Sequence, residues 1–139
     1  MERNEAARVK EIMMGAPVTL KPDDTLNLAN DIMSLGRIRH IPIVENVRLV
    51  GILSQRDLFG AAVSTVFKLR VKEERDLLKS FRIEEVMHKR VVTAAPDTTI
   101  QEAARLMAEK KIGCLPIVEG GKLVGLVTST NILRYLAQR

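Results

Sequence analysis

A chain of 139 residues that is 46% hydrophobic and 28% charged can bury a real core, and its charges are spread along the chain, which excludes a disordered tail. The net charge of +5 favours anionic partners, but no Trp, one Tyr and three Phe offer few stacking platforms, so nucleic acid is the weaker class of partner. One Cys excludes an intramolecular disulfide, and one Cys with two His cannot complete a four-ligand zinc site within one chain, so no metal centre is expected.

The N-terminal run Met1-Glu2-Arg3-Asn4-Glu5 enters charge at once, with no apolar signal core, and no stretch has the length and apolarity to span a bilayer. A reducing, cytoplasmic location is the expectation.

Shifting the sequence by 74 positions lays Val9–Phe59 on Ile83–Leu133 without a gap and with about a third of the positions identical. The identities include Thr19 with Thr93, Pro22-Asp23 with Pro96-Asp97, Met33 with Met107, and Ile43-Val44-Glu45 with Ile117-Val118-Glu119. Residues 1–8 read as an N-terminal segment, 9–66 as a first motif, 67–82 as a helical connector and 83–139 as a second motif.

Each motif is expected to open with a short strand, at Val18-Thr19 or Val92-Thr93, and a Pro-Asp turn at Pro22 or Pro96. A helix follows in each: Leu26, Ala29, Ile32 and Met33 recur at helical spacing with Gly36 as the stop, as do Ile100, Ala103, Leu106 and Met107, where Thr99 and Glu102 form a capping box. The β-branched runs His40–Glu45 and Arg48–Leu53 predict a hairpin, repeated by Leu115–Val118 and Lys122–Val127 around Gly120-Gly121. Pro42 and Pro116, which lack a ladder donor, are expected at the starts of their strands. Helix returns after Leu53 and Val127, the first of these continuing through Phe59, Val63, Val66 and Phe67. The mixed charges of Lys68–Lys79 suit a solvated helical connector. The fold class is α/β (α+β): two β-α-β-β-α repeats related by an approximate two-fold axis.

This order, with Lys10-Glu11-Ile12-Met13, Val18-Thr19, Pro22-Asp23, Ile41-Pro42-Ile43-Val44 and Gly51-Ile52-Leu53-Ser54-Gln55-Arg56-Asp57 recurring 74 residues on, resembles a tandem cystathionine β-synthase (CBS) domain pair from Val9 to Leu136. The resemblance implies a non-catalytic sensor that binds AMP, ADP, ATP or S-adenosylmethionine in clefts between the halves, with no required cofactor and magnesium only as companion to a polyphosphate. Similar pairs sit inside inosine monophosphate dehydrogenase, whose catalytic barrel needs about 250 further residues. No Ser-His-Asp or Cys-His arrangement, phosphate-binding glycine loop or metal cluster points to an enzyme.

Gly51-x-x-Ser54-x-x-Asp57 matches that family's ribose and phosphate motif. Ser54 falls at a strand-to-helix junction, where exposed N–H groups and the helix dipole favour an anion, and the Asp57 carboxylate can accept from both hydroxyls of a ribose. Gly51 would let a ligand approach the backbone. The same spacing is equally an ordinary helix cap worth about 1 kcal/mol with no ligand at all. The resemblance places Arg37, Arg39 and Arg56 around the cleft, with Arg39 and Arg56 as phosphate contacts. It makes His40 and Ile41, before Pro42, the adenine-facing start of a strand, and Thr19 an edge contact. Repeat equivalence gives a second, weaker site at Thr93, Cys114, Leu115, Pro116, Thr128 and Asn131, where Asn in place of Asp removes a charge and an acceptor oxygen. Cys114 reads as a buried hydrophobe and His88 as a surface residue.

Two further expectations concern partners. One is a homodimer built from the helices near Asp24, Ser54 and Thr128, with Leu58, Val63, Val66 and Phe67 as excess apolar surface. The other is an unidentified target protein to which the module reports. The rival reading is a ligand-independent adaptor for protein or nucleic acid.

Overall fold

Leu26, Ala29 and Met33 lie one helical turn apart, and in the computed structural model all three are buried on one face of α1, Leu26–Gly36. The structure describes residues 6–66, 78–79 and 81–139, with side chains of 62–66 excepted. Strands β1, His40–Glu45, and β2, Arg48–Ser54, form an antiparallel hairpin, followed by α2, Gln55–Val66. The pattern recurs as α3, Ile100–Lys110, β3, Cys114–Glu119, β4, Lys122–Thr128, and α4, Ser129–Ala137. Both hairpins carry a bulge at the same place, after Ile43 and after Ile117. Their turns use Asn46 at φ 59° in one, and Gly120 and Gly121 at 60° and 82° in the other, which is the left-handed backbone that tight hairpins need.

The described chain divides into two compact units, and these do not follow the repeat boundaries. One is Val18–Val91; the other joins the segment ending at Pro17 to Val92–Arg139. Each unit therefore takes its leading segment from the other repeat. Ile83, at the start of a single 3-10 turn, is wholly buried in the core of the first unit with Leu26, Met33, Ile41, Ile43 and Leu53. Val9, its counterpart, is wholly buried with Ile100, Met107, Leu115, Ile117 and Val127. The docking is also hydrogen-bonded: Ile83 N–H donates to Asp24 O at 2.8 Å and Val9 N–H to Thr98 O at 2.8 Å. Further along, His88 exchanges two backbone bonds with Ile52, and Met14 two with Leu126.

Several expectations are refined. The first strand of each motif contracts to a single parallel bridge, Leu20 to Ile43 and Ala94 to Ile117, one or two residues after Val18-Thr19 and Val92-Thr93. Pro42 and Pro116 sit third in their strands. Pro42 O accepts from Leu20 N–H, so the residue's missing donor lies on the outer edge of β1, beyond the reach of the β2 ladder. Gly36 remains helical, and the left-handed cap falls on Arg37 at φ 54°, as it does on Lys111 at φ 56°. Ile38 N–H then returns to Met33 O and Ile112 N–H to Met107 O, closing a Schellman end in which a basic residue takes the glycine position.

The capping box at Thr99 and Glu102 is present in both directions, at 3.0 and 2.9 Å. Leu58 is 4% exposed and belongs to the core of its unit, so it is not available to a partner. The Val63 and Val66 side chains and Phe67 lie outside the described residues, as does the connector apart from Leu78, Lys79, Phe81 and Arg82. Leu78 is buried in the core of the first unit rather than solvated.

Candidate functional site

In the first unit β2 ends at Ser54 and α2 begins at the next residue, so the sequence turns from strand to helix where the motif lies. Asp57 N–H donates to Ser54 Oγ at 3.0 Å, and Ser54 N–H donates to Asp57 Oδ2 at 3.2 Å, a reciprocal cap on α2. The ordinary capping role is therefore realised, whatever else the pair does. His40 stands directly across the ladder from Ser54, and Arg39 O accepts Gln55 N–H at 2.7 Å, which fixes the start of β1 against the start of α2. His40 takes its proton below the ordinary histidine range: burial is the main cause, Arg39 adds to it, and Asp57 opposes it.

The structure thus brings His40, Ser54 and Asp57 together at one junction. Arg39 and Arg56 are exposed beside it, and Arg37 is exposed at the end of α1. Thr19 is half-buried next to the Leu20 bridge. Ile41 points the other way: its side chain is wholly buried in the core with Ile43, because alternate strand residues face opposite sides, so His40 and not Ile41 carries the accessible surface at this place. Pro42 is also fully buried. At Gly51, the room left by the missing side chain is taken by Met87 and the His88 carbonyl. That close approach of the leading segment explains the glycine without a ligand.

One contact was not visible in the sequence. His88 is exposed, as expected, and its Nε2 lies 3.0 Å from Asp57 Oδ1. The residues are 31 apart in the chain and meet only because the segment 83–88 docks on β2, and no periodicity signals such docking.

The second unit reproduces the junction with different chemistry. Thr128 ends β4, Asn131 N–H donates to Thr128 Oγ1 at 3.2 Å, and Thr128 N–H donates to Asn131 Oδ1 at 2.8 Å. Cys114, Leu115 and Pro116 are buried, and Thr93 is exposed. Burial pushes the Cys114 thiol up to about 12, which leaves no thiolate for metal or redox chemistry at neutral pH. Among the described residues no cluster of His, Cys, Asp or Glu could hold a metal ion. No described helix is long and apolar enough to cross a membrane.

The CBS domain family profile matches residues 9–64 and 83–138. The chain belongs to the CBS domain family. A CBS domain-containing protein of Dictyostelium discoideum is 30% identical over 130 residues, covering 92% of this chain and 90% of that one. An inosine-5'-monophosphate dehydrogenase of Korarchaeum cryptofilum is 32% identical over 126 residues, but this CBS pair spans only 23% of its length. A homoserine O-acetyltransferase of Methanohalobium evestigatum is matched over 24% of its length. Among solved structures, the CBS domain pair of protein MJ0100, in complex with 5'-methylthioadenosine and S-adenosylmethionine, has 29% identity, a TM-score of 0.79 and coverage of 94% of this chain and 99% of that one. CBSX2 in complex with AMP has 25% identity, a TM-score of 0.79 and coverage of 95% and 97%.

Proposed function

We propose that this CBS pair is a non-catalytic regulatory module that binds an adenosine-type ligand through Ser54 and Asp57 and signals its occupancy to a partner protein. The observation that carries the reading is the junction itself: a covered carboxylate held by the first turn of α2, beside a hydroxyl and the positive end of a helix. Asp57 would accept the ribose hydroxyls, His40 would line the base, and Arg39 and Arg56 would meet phosphates where the ligand has them. Related pairs of known structure hold AMP, S-adenosylmethionine and 5'-methylthioadenosine, which share that ribose. The weaker second site would use Thr93, Cys114, Leu115, Pro116, Thr128 and Asn131. Magnesium would enter only with a polyphosphate, and the module would work in the cytoplasm as a homodimer, a state that light scattering measures.

A thermal-shift screen with AMP, ADP, ATP and S-adenosylmethionine tests the reading. A ligand at about 100 times its dissociation constant stabilises the fold by roughly 2.7 kcal/mol, a clear rise in melting temperature. Four unchanged melts would favour a ligand-independent adaptor. That reading has one observation behind it: the caps at Ser54–Asp57 and Thr128–Asn131 both close without a ligand.

A further inference from the structure

The two junctions differ at more than Asp57: Ser54 becomes Thr128 and His40 becomes Cys114. Asp57 is replaced by Asn131 in the second unit, and His88 is replaced by Met14, which occupies the same docked position and cannot hydrogen-bond as an imidazole does. In the first unit both carboxylate oxygens of Asp57 already have a partner: Oδ2 accepts the Ser54 N–H at 3.2 Å, and Oδ1 faces His88 Nε2 at 3.0 Å. The Asp57 side chain is 19% exposed and the His88 side chain 65% exposed, so the imidazole is the solvent-facing member of the pair. His88 is held by its backbone, through N–H and O bonds of 2.9 and 3.0 Å to Ile52, so the ring can rotate away without undocking its segment.

We propose that His88 is an internal competitor for the Asp57 carboxylate: the imidazole holds it when no ligand is present, a ribose diol displaces the ring, and acid tightens the ring's hold. The proposal rests on the adenosine-ligand reading of Asp57. A neutral imidazole offers one N–H to the carboxylate, whereas a protonated imidazolium makes a charge-assisted bond to it. Acid therefore favours the ligand-free pair. The charged and titratable groups on the elements bonded to the pair are Arg56 on α2, Arg48 on β2, His40 and Glu45 on β1 with Arg39 just before it, and Glu84, Glu85, Lys89 and Arg90 on the segment of His88 itself. His40 is the other imidazole among them, and a His88 variant that keeps the donor but has no imidazole separates the two.

Calorimetry on the full chain with AMP and with 5'-methylthioadenosine, which has the diol but no phosphate to titrate, tests this at about pH 8 and about pH 6. Wild-type affinity for both should weaken about threefold to tenfold on going to the lower pH. His88→Ala should bind up to about fivefold more tightly at the higher pH, the range of an exposed pair, and lose most of the pH dependence. His88→Gln, which keeps a neutral donor, should bind like wild type at the higher pH and show the same flat profile. Weaker binding by His88→Ala, or an unchanged pH profile in His88→Gln, overturns the competition while leaving the ligand reading intact. Absence of binding by wild type at either pH overturns the ligand reading, and the competition with it.

Discussion

The sulfur of Met87 lies 2.5 Å from the point where a β-carbon on Gly51 would stand, and the carbonyl oxygen of His88 lies 3.0 Å from it. Met13 approaches Gly125 in the same manner in the other unit. The space at Gly51, which the motif suggests as an opening for a ligand, is filled by the thioether and backbone of a docked segment, and the space at Gly125 by the Met13 side chain.

Gly51→Ala and Gly125→Ala should each destabilise the fold by about 1–3 kcal/mol, the usual cost of overpacking. Urea unfolding measures it. The double variant Gly51→Ala, Met87→Ala should cost less than the sum of its parts, because the two residues compete for one space. Additive losses would show that the segment is not seated as described.

Asp57→Asn separates the two roles of Asp57, since Asn131 makes the same backbone cap with an amide oxygen at 2.8 Å. The variant should keep its stability and lose adenosine-ligand affinity by about one to two orders of magnitude, as expected for a lost charge-assisted bond. Asp57→Ala should lose both, the stability cost being about 1 kcal/mol. Asn131→Ala should pay only in stability, and Asn131→Asp should strengthen the second site. Equal losses of affinity from Asp57→Ala and Asn131→Ala in calorimetry would refute the asymmetry.

Burial of His40 makes stability depend on pH in one direction. The unfolded chain takes up the His40 proton near the ordinary 6.5, whereas the folded chain resists it. As pH falls from 6.5 toward the lower folded value, the unfolded state binds more protons and the fold loses stability. Asp97 and Glu102, whose folded values are lowered, lose their contribution only as pH falls through 3.8 and 4.5, below that window. In a His88→Gln background, where a pair with Asp57 that acid strengthens no longer opposes the His40 effect, the urea midpoint should therefore drop between about pH 7 and about pH 5. His40→Gln should remove much of the drop, and an unaltered drop would assign it elsewhere.

Cys114 is 6% exposed, with its thiol raised to about 12, so it should resist a disulfide reagent in the native protein and react at once in urea. Rapid native labelling would contradict the burial.

The helices and hairpins were legible because their signals are local. Leu26, Ala29 and Met33 declare a buried helix face, His40–Glu45 and Arg48–Leu53 a hairpin, and Thr99 with Glu102 a cap, each within a few residues of chain. The Ser54–Asp57 junction was legible for the same reason. What could not be read depends on which segments meet. Val9 and Ile83 occupy equivalent repeat positions and are both apolar, so the pattern fits either residue to either core equally well. With that pairing hidden, the His88–Asp57 contact was hidden too, along with the occupant of the space at Gly51. Leu58 was misjudged because an apolar residue in the first turn of a helix reads alike whether it faces a core or a partner.

The exchange of leading segments makes the repeat boundary a poor place to cut. A fragment of residues 83–139 would carry a core built for Val9 and no Val9 to fill it, yet it would also carry Ile83, a near-copy of the absent plug. Such a piece can repair itself by folding its own segment back, or by trading segments with a second copy. The symmetry that lets the intact chain cross-brace itself would, in fragments, license intermolecular strand and turn exchange.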